Sequence, residues 1–238
     1  MASISIAARY CGPPGMGNGG YVAGLLAAGL GDCATVKLRA PTPLDRPLQL
    51  ARGEGAATLR DGDTLVAEAS VAELEIDVPA PPPHAVAERA LQEFRGYDRH
   101  PFPHCFVCGP GRARGDGLRV FALPVPQTAA RLAASWTPEA GFADEAGLVR
   151  SEFLWGALDC PGGMSIGGVD ARRVVTAEIT ARIERRVRIG EPCVVIAWPI
   201  SRAGRKHYAG SAIFSAQGER CAVARALWIE LPDKDQPS

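Results

Sequence analysis

The sequence predicts an α+β fold made of two similar units, each a buried helix wrapped by a curved antiparallel sheet. Residues 21–30 and 151–160 are apolar around almost their whole circumference, which is typical of helices enclosed by other structure. Residues 174–184 alternate between apolar and polar side chains, as expected for a half-buried antiparallel strand. A run of strand-like segments follows each helix, so the same order of elements occurs twice.

The first unit is predicted to cover residues 1–78. It begins with a short strand within residues 1–10 and a glycine-rich loop at residues 11–20. Its helix should end at Gly31, because glycine is favoured directly after a helix. The strands predicted after this helix are residues 35–39, 48–52, 56–59 and 65–74.

Residues 79–117 are predicted to connect the units, because prolines interrupt regular structure at residues 78–84. A connecting helix is expected at residues 85–94, followed by an irregular segment that contains a Cys-x-x-Cys pair. The second unit is predicted to cover residues 118–238. Its strands are predicted at residues 118–123, 130–136, 174–184, 193–200, 207–215 and 221–231. Placing the two units side by side would cover the edge strands that each unit alone leaves unpaired.

Composition argues against several classes of partner. The 238 residues contain 26 Lys and Arg and 26 Asp and Glu, and this zero net charge argues against a nucleic-acid or membrane-surface partner. No apolar run is long enough to span a bilayer, and the first residues do not resemble a secretory signal. Seven cysteines are an odd number, so we expect free thiols in a reducing, cytoplasmic compartment.

Asp159 is the one acid in the apolar part of the second helix. An ionised carboxylate is costly to bury unless it is paired or hydrogen-bonded. Two roles remain open on this basis: the carboxylate satisfies the backbone of a turn at residues 160–163, or it is catalytic. The glycines before the first helix have two interpretations as well, because they either make a tight turn or expose backbone amides.

Two motifs resemble the hotdog-fold thioesterase superfamily in its tandem, double-hotdog form. Residues 18–25, NGGYVAGL, are similar to the His/Asn-Gly-Gly start of the hotdog helix, and residues 155–159, WGALD, are similar to its later part, where many members hold an acid. The resemblance covers residues 1–74 and 118–231. It implies acyl-thioester chemistry on coenzyme A or acyl-carrier-protein conjugates, at a site shared between paired units.

Aligning the two helices predicts one complete site. When Asn18 is set against Arg150, Ala27 falls opposite Asp159. The first helix therefore has the glycines without the acid, and the second has the acid without the glycines. The mirror-image site, made of residues 150–152 and Ala27, is expected to be inactive.

These residue types suit thioester hydrolysis. The amides of Gly19 and Gly20 would stabilise negative charge on the carbonyl oxygen, and Asp159 would activate water or attack the carbonyl itself. Asn18 would orient the thioester or the water. These four are the predicted catalytic residues.

Four further residues are predicted to bind substrate: Tyr21, Trp155, Arg112 and Arg114. Trp155 lies one helical turn before Asp159, where it would line an acyl tunnel and raise the pKa of the acid. Arg112 and Arg114 would contact coenzyme A phosphates, and the alternative is a solvated basic loop.

The Cys105 and Cys108 pair fits either a metal site or a structural turn. His100 and His104 are nearby candidate ligands, but a zinc site needs four ligands and no second cysteine pair has the usual spacing. We therefore predict no metal and no cofactor.

Two other functions stay open: a hydratase or dehydratase on the same fold, and a non-catalytic acyl-thioester-binding protein. The hydratase interpretation is weaker because Asn18 occupies the expected histidine position. A homodimer of the tandem chain is expected from symmetry.

Overall fold

The computed structural model describes residues 2–97, 100–126, 130–167 and 174–231. In the first unit, β1 covers Ala2–Ser5 and α1 covers Gly19–Ala27. The following strands are β2 (Cys33–Leu38), β3 (Pro47–Gly53), β4 (Ala56–Asp61) and β5 (Thr64–Val71). Each lies within a few residues of its predicted position. Hydrogen bonding arranges the five strands in the order β1-β3-β4-β5-β2.

The connecting segment contains α2, His84–Glu93. In the second unit, α3 covers Ser151–Gly167, and the strands are β6 (Leu123–Pro124), β7 (Leu132–Trp136), β8 (Val174–Ile183), β9 (Cys193–Ala203), β10 (Lys206–Ser215) and β11 (Arg220–Glu230). Their order in the sheet is β8-β11-β10-β9-β7-β6.

The two units share one continuous sheet. Strands β2 and β8 pair antiparallel, with Cys33 opposite Arg182 and Thr35 opposite Thr180. The hydroxyl oxygens of Thr35 and Thr180 lie 2.7 Å apart across this junction. The junction turns the inner edges of both units into paired strands, as the sequence predicts.

Helices α1 and α3 run antiparallel and touch through glycines. A Cβ added at Gly20 would lie 2.4 Å from Asp159 Cβ, and one at Gly24 would lie 2.4 Å from Glu152 Cα. Such distances exclude a larger side chain, so the two backbones pack directly against each other. The amide end of α1 is thereby brought against the middle of α3. No helix in the described ranges is long and apolar enough to cross a lipid bilayer.

Two predicted element boundaries are wrong. Helix α3 continues through Pro161 to Gly167 instead of ending at Cys160, so residues 160–163 form no turn for Asp159 to satisfy. Packing overrides the local signal there, because Gly163 lies against the indole of Trp228. Residues 118–122 are not a strand of the sheet. Leu118 and Val120 instead donate backbone hydrogen bonds to the carbonyls of Phe106 and Val107.

Candidate active site

A cavity of about 560 Å³ lies between the two units. Its walls come from the loop before α1, from the Cys-x-x-Cys segment, from the middle of α3 and from the start of β8. The polar groups that face it include Asn18, Gly19, Arg39, Thr42, His100, Cys105, Cys108, Asp159, Cys160 and Thr176. One cavity therefore collects polar residues that lie up to about 160 positions apart in the sequence.

Asp159 is the acid of this cavity, and only 2% of its surface is exposed. The backbone N–H of Gly20 donates to Oδ2 at 2.9 Å, and the Thr176 hydroxyl donates to Oδ1 at 2.6 Å. The carboxylate is thus held by one donor from each unit. Of its two predicted roles, the turn-satisfying role is wrong, because both of these partners come from other elements.

Burial raises the pKa of Asp159 to about 7 from its ordinary 3.8. Removal from water is the largest cause, and the donors Thr176, Gly20 and Asn18 partly oppose it. The charge of Cys105 adds to the increase. A carboxyl with a pKa close to neutrality is well matched to accepting a proton in that pH range.

Thr176 is a functional candidate that lies on the opposite face of β8 from the one that strict alternation predicts. Strict alternation puts it on the polar side, away from Ile179 and Ala181. A bulge changes this, because Leu227 pairs with Glu178 while Trp228 pairs with Thr176, which leaves one extra residue in β8. A bulge reverses the facing of the residues beyond it. No local signal in the sequence marks this position.

Asn18 is the N-cap residue of α1, and hydrogen bonds at both ends of its side-chain amide hold that group in one orientation. Its Oδ1 accepts from the backbone N–H of Tyr21 at 2.9 Å, as expected for an N-cap residue. Its Nδ2 donates to the sulfurs of Cys105 and Cys160 at 3.7 and 3.5 Å. With both ends engaged, this side chain positions the helix and the thiols around it.

The backbone amides of Gly19 and Gly20, which were both predicted to bind the carbonyl oxygen, differ in whether they already have an acceptor. The N–H of Gly20 is occupied by Asp159. The N–H of Gly19 lies in the first turn of α1, where no intrahelical acceptor exists, and Gly19 lines the cavity. Gly19 also lies against Thr176, because a Cβ added there would be 3.1 Å from Thr176 Oγ1. The geometry therefore leaves Gly19 facing the cavity beside the acid.

Tyr21 and Trp155 lie in the core and not among the residues that line the cavity. Tyr21 is 6% exposed and stacks on Tyr10 with ring centroids 4.1 Å apart. Trp155 is 2% exposed and packs against the glycines of α1. Trp155 does not line the cavity as expected, because it lies on the face of α3 that contacts α1.

Arg112 and Arg114 also lie outside the cavity lining. The guanidinium of Arg112 donates to the His104 carbonyl at 2.8 Å and to Asp116 at 2.9 Å, so it stabilises its own loop. Arg114 is exposed. Their contact with coenzyme A phosphates stays a prediction.

Solved structures share this architecture over almost the whole chain. The TesB protein of Mycobacterium avium subsp. paratuberculosis is 15% identical, with a TM-score of 0.61 and coverage of 97% of this chain and 92% of that chain. A conserved hot dog fold protein of unknown function from Alicyclobacillus acidocaldarius is 11% identical, with a TM-score of 0.56 and coverage of 97% and 93%. This chain has a double-hotdog fold.

A third solved structure that is similar to this chain is the acyl-CoA thioesterase II TesB2 of Mycobacterium marinum. It is 13% identical, with a TM-score of 0.53 and coverage of 86% of this chain and 82% of that chain. No protein-family model matches the sequence, and no curated protein matches it. The similarity is therefore one of fold, and the function has to be argued from the site.

Proposed function

We propose that this double hotdog hydrolyses an acyl thioester, such as an acyl-CoA or an acyl-carrier-protein conjugate, at one composite site between its units. The observation that carries the proposal is the hydrogen bond between Asp159 of α3 and the Gly20 amide of α1 at the wall of the cavity. Two named TesB proteins of the same fold are consistent with this chemistry. Asp159 acts as a general base on water or as the nucleophile.

The Gly19 amide is proposed as the donor to the carbonyl oxygen. The transition state of hydrolysis places negative charge on this oxygen, and a backbone N–H at a helix start is suited to receive it. The Gly20 amide and the Thr176 hydroxyl instead fix the orientation of the Asp159 carboxylate. This division differs from the prediction that both glycine amides bind the oxyanion.

The mirror-image site is proposed to be inactive. Ala27 supplies no acid where the second helix has Asp159, and Glu152 at the start of α3 is paired with Arg150 at 3.0 Å. Glu152→Gln therefore serves as a matched control. We expect its turnover to stay within about twofold of the wild type.

The test of the proposed function is an acyl-CoA panel of increasing chain length with colorimetric detection of the released thiol. Wild-type protein is compared with Asp159→Asn, Asp159→Ala and Glu152→Gln. Turnover by the wild type and by Glu152→Gln, but by neither Asp159 variant, supports the proposal. Tight binding of acyl-CoA without turnover by any protein would instead favour a non-catalytic binding protein.

Thr176→Val is expected to lower kcat by roughly tenfold to a hundredfold, because a hydrogen bond to a charged group contributes about 1.5–3 kcal/mol. The substitution removes the donor to Asp159 Oδ1 and keeps the shape of the side chain. Thr180→Val is the matched control, since Thr180 lies on the same strand and bonds to Thr35. Equal rates for the two variants would show that Thr176 does not position the acid.

We also propose that the chain forms a homodimer and that it resides in the cytoplasm. Strands β1 and β6 end the described sheet and would be the edges available to a second copy. Light scattering during size-exclusion chromatography measures the mass directly. A mass of a single chain over the working concentration range would contradict the dimer.

A further inference from the structure

Three buried cysteines from two distant parts of the chain meet beside the acid. Cys105 and Cys108 come from the connecting segment and Cys160 comes from α3. Their sulfurs all lie within 4.8 Å of one another, and those of Cys105 and Cys160 are 3.6 Å apart. All three face the cavity. The thioester chemistry proposed above does not use them.

We propose that Cys105, Cys108 and Cys160 bind a zinc ion at the wall of the cavity. Zinc–thiolate bonds of about 2.3 Å in a tetrahedral arrangement separate two sulfurs by roughly 3.8 Å. The 3.6 Å between the sulfurs of Cys105 and Cys160 is close to this value, and the other two sulfur pairs lie within 4.8 Å. Cys160 is the third ligand, and it lies outside the Cys-x-x-Cys pair that the sequence pattern shows.

Hydrogen-bond donors surround the sulfurs in the way that a thiolate cluster requires. The Asn18 amide donates to Cys105 and Cys160, and its orientation is fixed because its oxygen caps α1. Such outer donors orient metal ligands and stabilise their negative charge.

Gly109 closes the turn that brings Cys105 and Cys108 together. Its N–H donates to the Cys105 carbonyl at 2.9 Å. A Cβ at this position would lie 2.5 Å from the same carbonyl oxygen, so the turn requires glycine. The loop is thereby rigid and presents both sulfurs to α3.

Charge balance explains why a divalent cation suits this place. Several thiolates cannot be buried together without a compensating charge, and buried charges in proteins are paired or coordinate metals. Zinc with three thiolates has a net charge of minus one, which the surrounding N–H groups meet. Within the described ranges no fourth protein ligand joins the cluster, so the proposed ion would take its fourth ligand from the adjoining cavity.

The proposal is tested on full-length protein purified with a non-thiol reductant and dialysed against zinc. We expect one zinc per chain by elemental analysis, and affinity at least tenfold weaker in Cys105→Ser, Cys108→Ser and Cys160→Ser by chelator competition. Cys193→Ser is the matched control, because Cys193 is fully buried in the second unit and lies outside the cavity lining. This control should bind zinc like the wild type.

Cobalt substitution of the wild type provides a second measurement that does not depend on the variants folding. A strong thiolate-to-cobalt charge-transfer band, absent from Cys160→Ser, supports the site. The proposal is overturned by wild-type protein that binds no more zinc than Cys160→Ser. It is also overturned if the reduced protein shows no such band, or if mass spectrometry finds a disulfide within the cluster of freshly purified protein. Since the readout is metal content, loss of hydrolysis alone would not bear on it.

Discussion

Asp159→Asn is expected to reduce thioester hydrolysis by roughly a hundredfold to ten-thousandfold, the range that a positioned general base contributes. The amide keeps the size of the side chain and can still accept from the Gly20 N–H and bond to Thr176. What it loses is the ability to take a proton or attack a carbonyl. The measurement is kcat/KM on the best acyl-CoA of the panel, with Glu152→Gln as the control.

The same variant is expected to be at least as stable as the wild type at pH 8. The folded pKa of Asp159, about 7, is higher than its ordinary 3.8, so ionisation of this group destabilises the fold progressively as pH rises from about 4 to about 7. The neutral amide avoids this cost, which is of the order of a few kcal/mol. The advantage should therefore shrink as the pH falls towards 4.

Urea unfolding of the wild type and of Asp159→Asn, at pH 8 and at pH 5, shows whether Asp159 has a catalytic or a structural role. Lost activity with retained stability is the pattern of a group kept for function at the expense of stability. A variant that is inactive and also several kcal/mol less stable at pH 8 would show that Asp159 holds the two units together instead.

Gly24→Ala is expected to destabilise the protein by about 3 kcal/mol through overpacking. Helix propensity alone predicts the opposite sign, because alanine is favoured over glycine by roughly 1 kcal/mol within a helix. Contact with α3 decides the outcome, since the added methyl would lie 2.4 Å from Glu152 Cα and 2.9 Å from Trp155 Cβ. The two backbones would have to separate.

Gly141→Ala is the control for this prediction, because nothing lies within 4 Å of a Cβ added there. Thermal and urea unfolding of both variants and the wild type measure the difference. Gly24→Ala as stable as Gly141→Ala would contradict the close packing of α1 on α3. Gly20→Ala, whose methyl would meet Asp159 itself, should lose both stability and activity.

Much of the architecture was predictable from local patterns. An apolar circumference identified both buried helices, and alternation identified the strand β8, because burial of a face leaves a direct periodic trace in the sequence. The duplicated order of elements then predicted the two units. Aligning the helices showed that each kept what the other lost, and the resemblance to tandem hotdog proteins implied that Asp159 meets the glycines at the start of α1. The structure brings Asp159 and Gly20 into hydrogen-bond contact. Their catalytic roles stay predictions.

The parts that could not be predicted depend on contacts between segments that are distant in sequence. Helix α3 passes through Pro161 because its far end packs on Trp228, and Trp155 contacts α1 because glycines there admit it. The strand expected at residues 118–123 pairs largely with the Cys-x-x-Cys segment instead. Local propensity carries no information on any of these partners.

The sequence by itself determined two wrapped helices in tandem and one buried acid, since hydrophobic periodicity and the cost of a buried charge are local properties. That this acid meets the glycine pair was implied only by the family resemblance. Tertiary structure alone decided which donors reach that acid. A bulge in β8 turns Thr176 towards it, the Gly20 amide is taken by the carboxylate, and Cys160 completes a cluster with a loop more than fifty residues away. Strand register and helix packing set these contacts, and both arise only when the whole chain is folded.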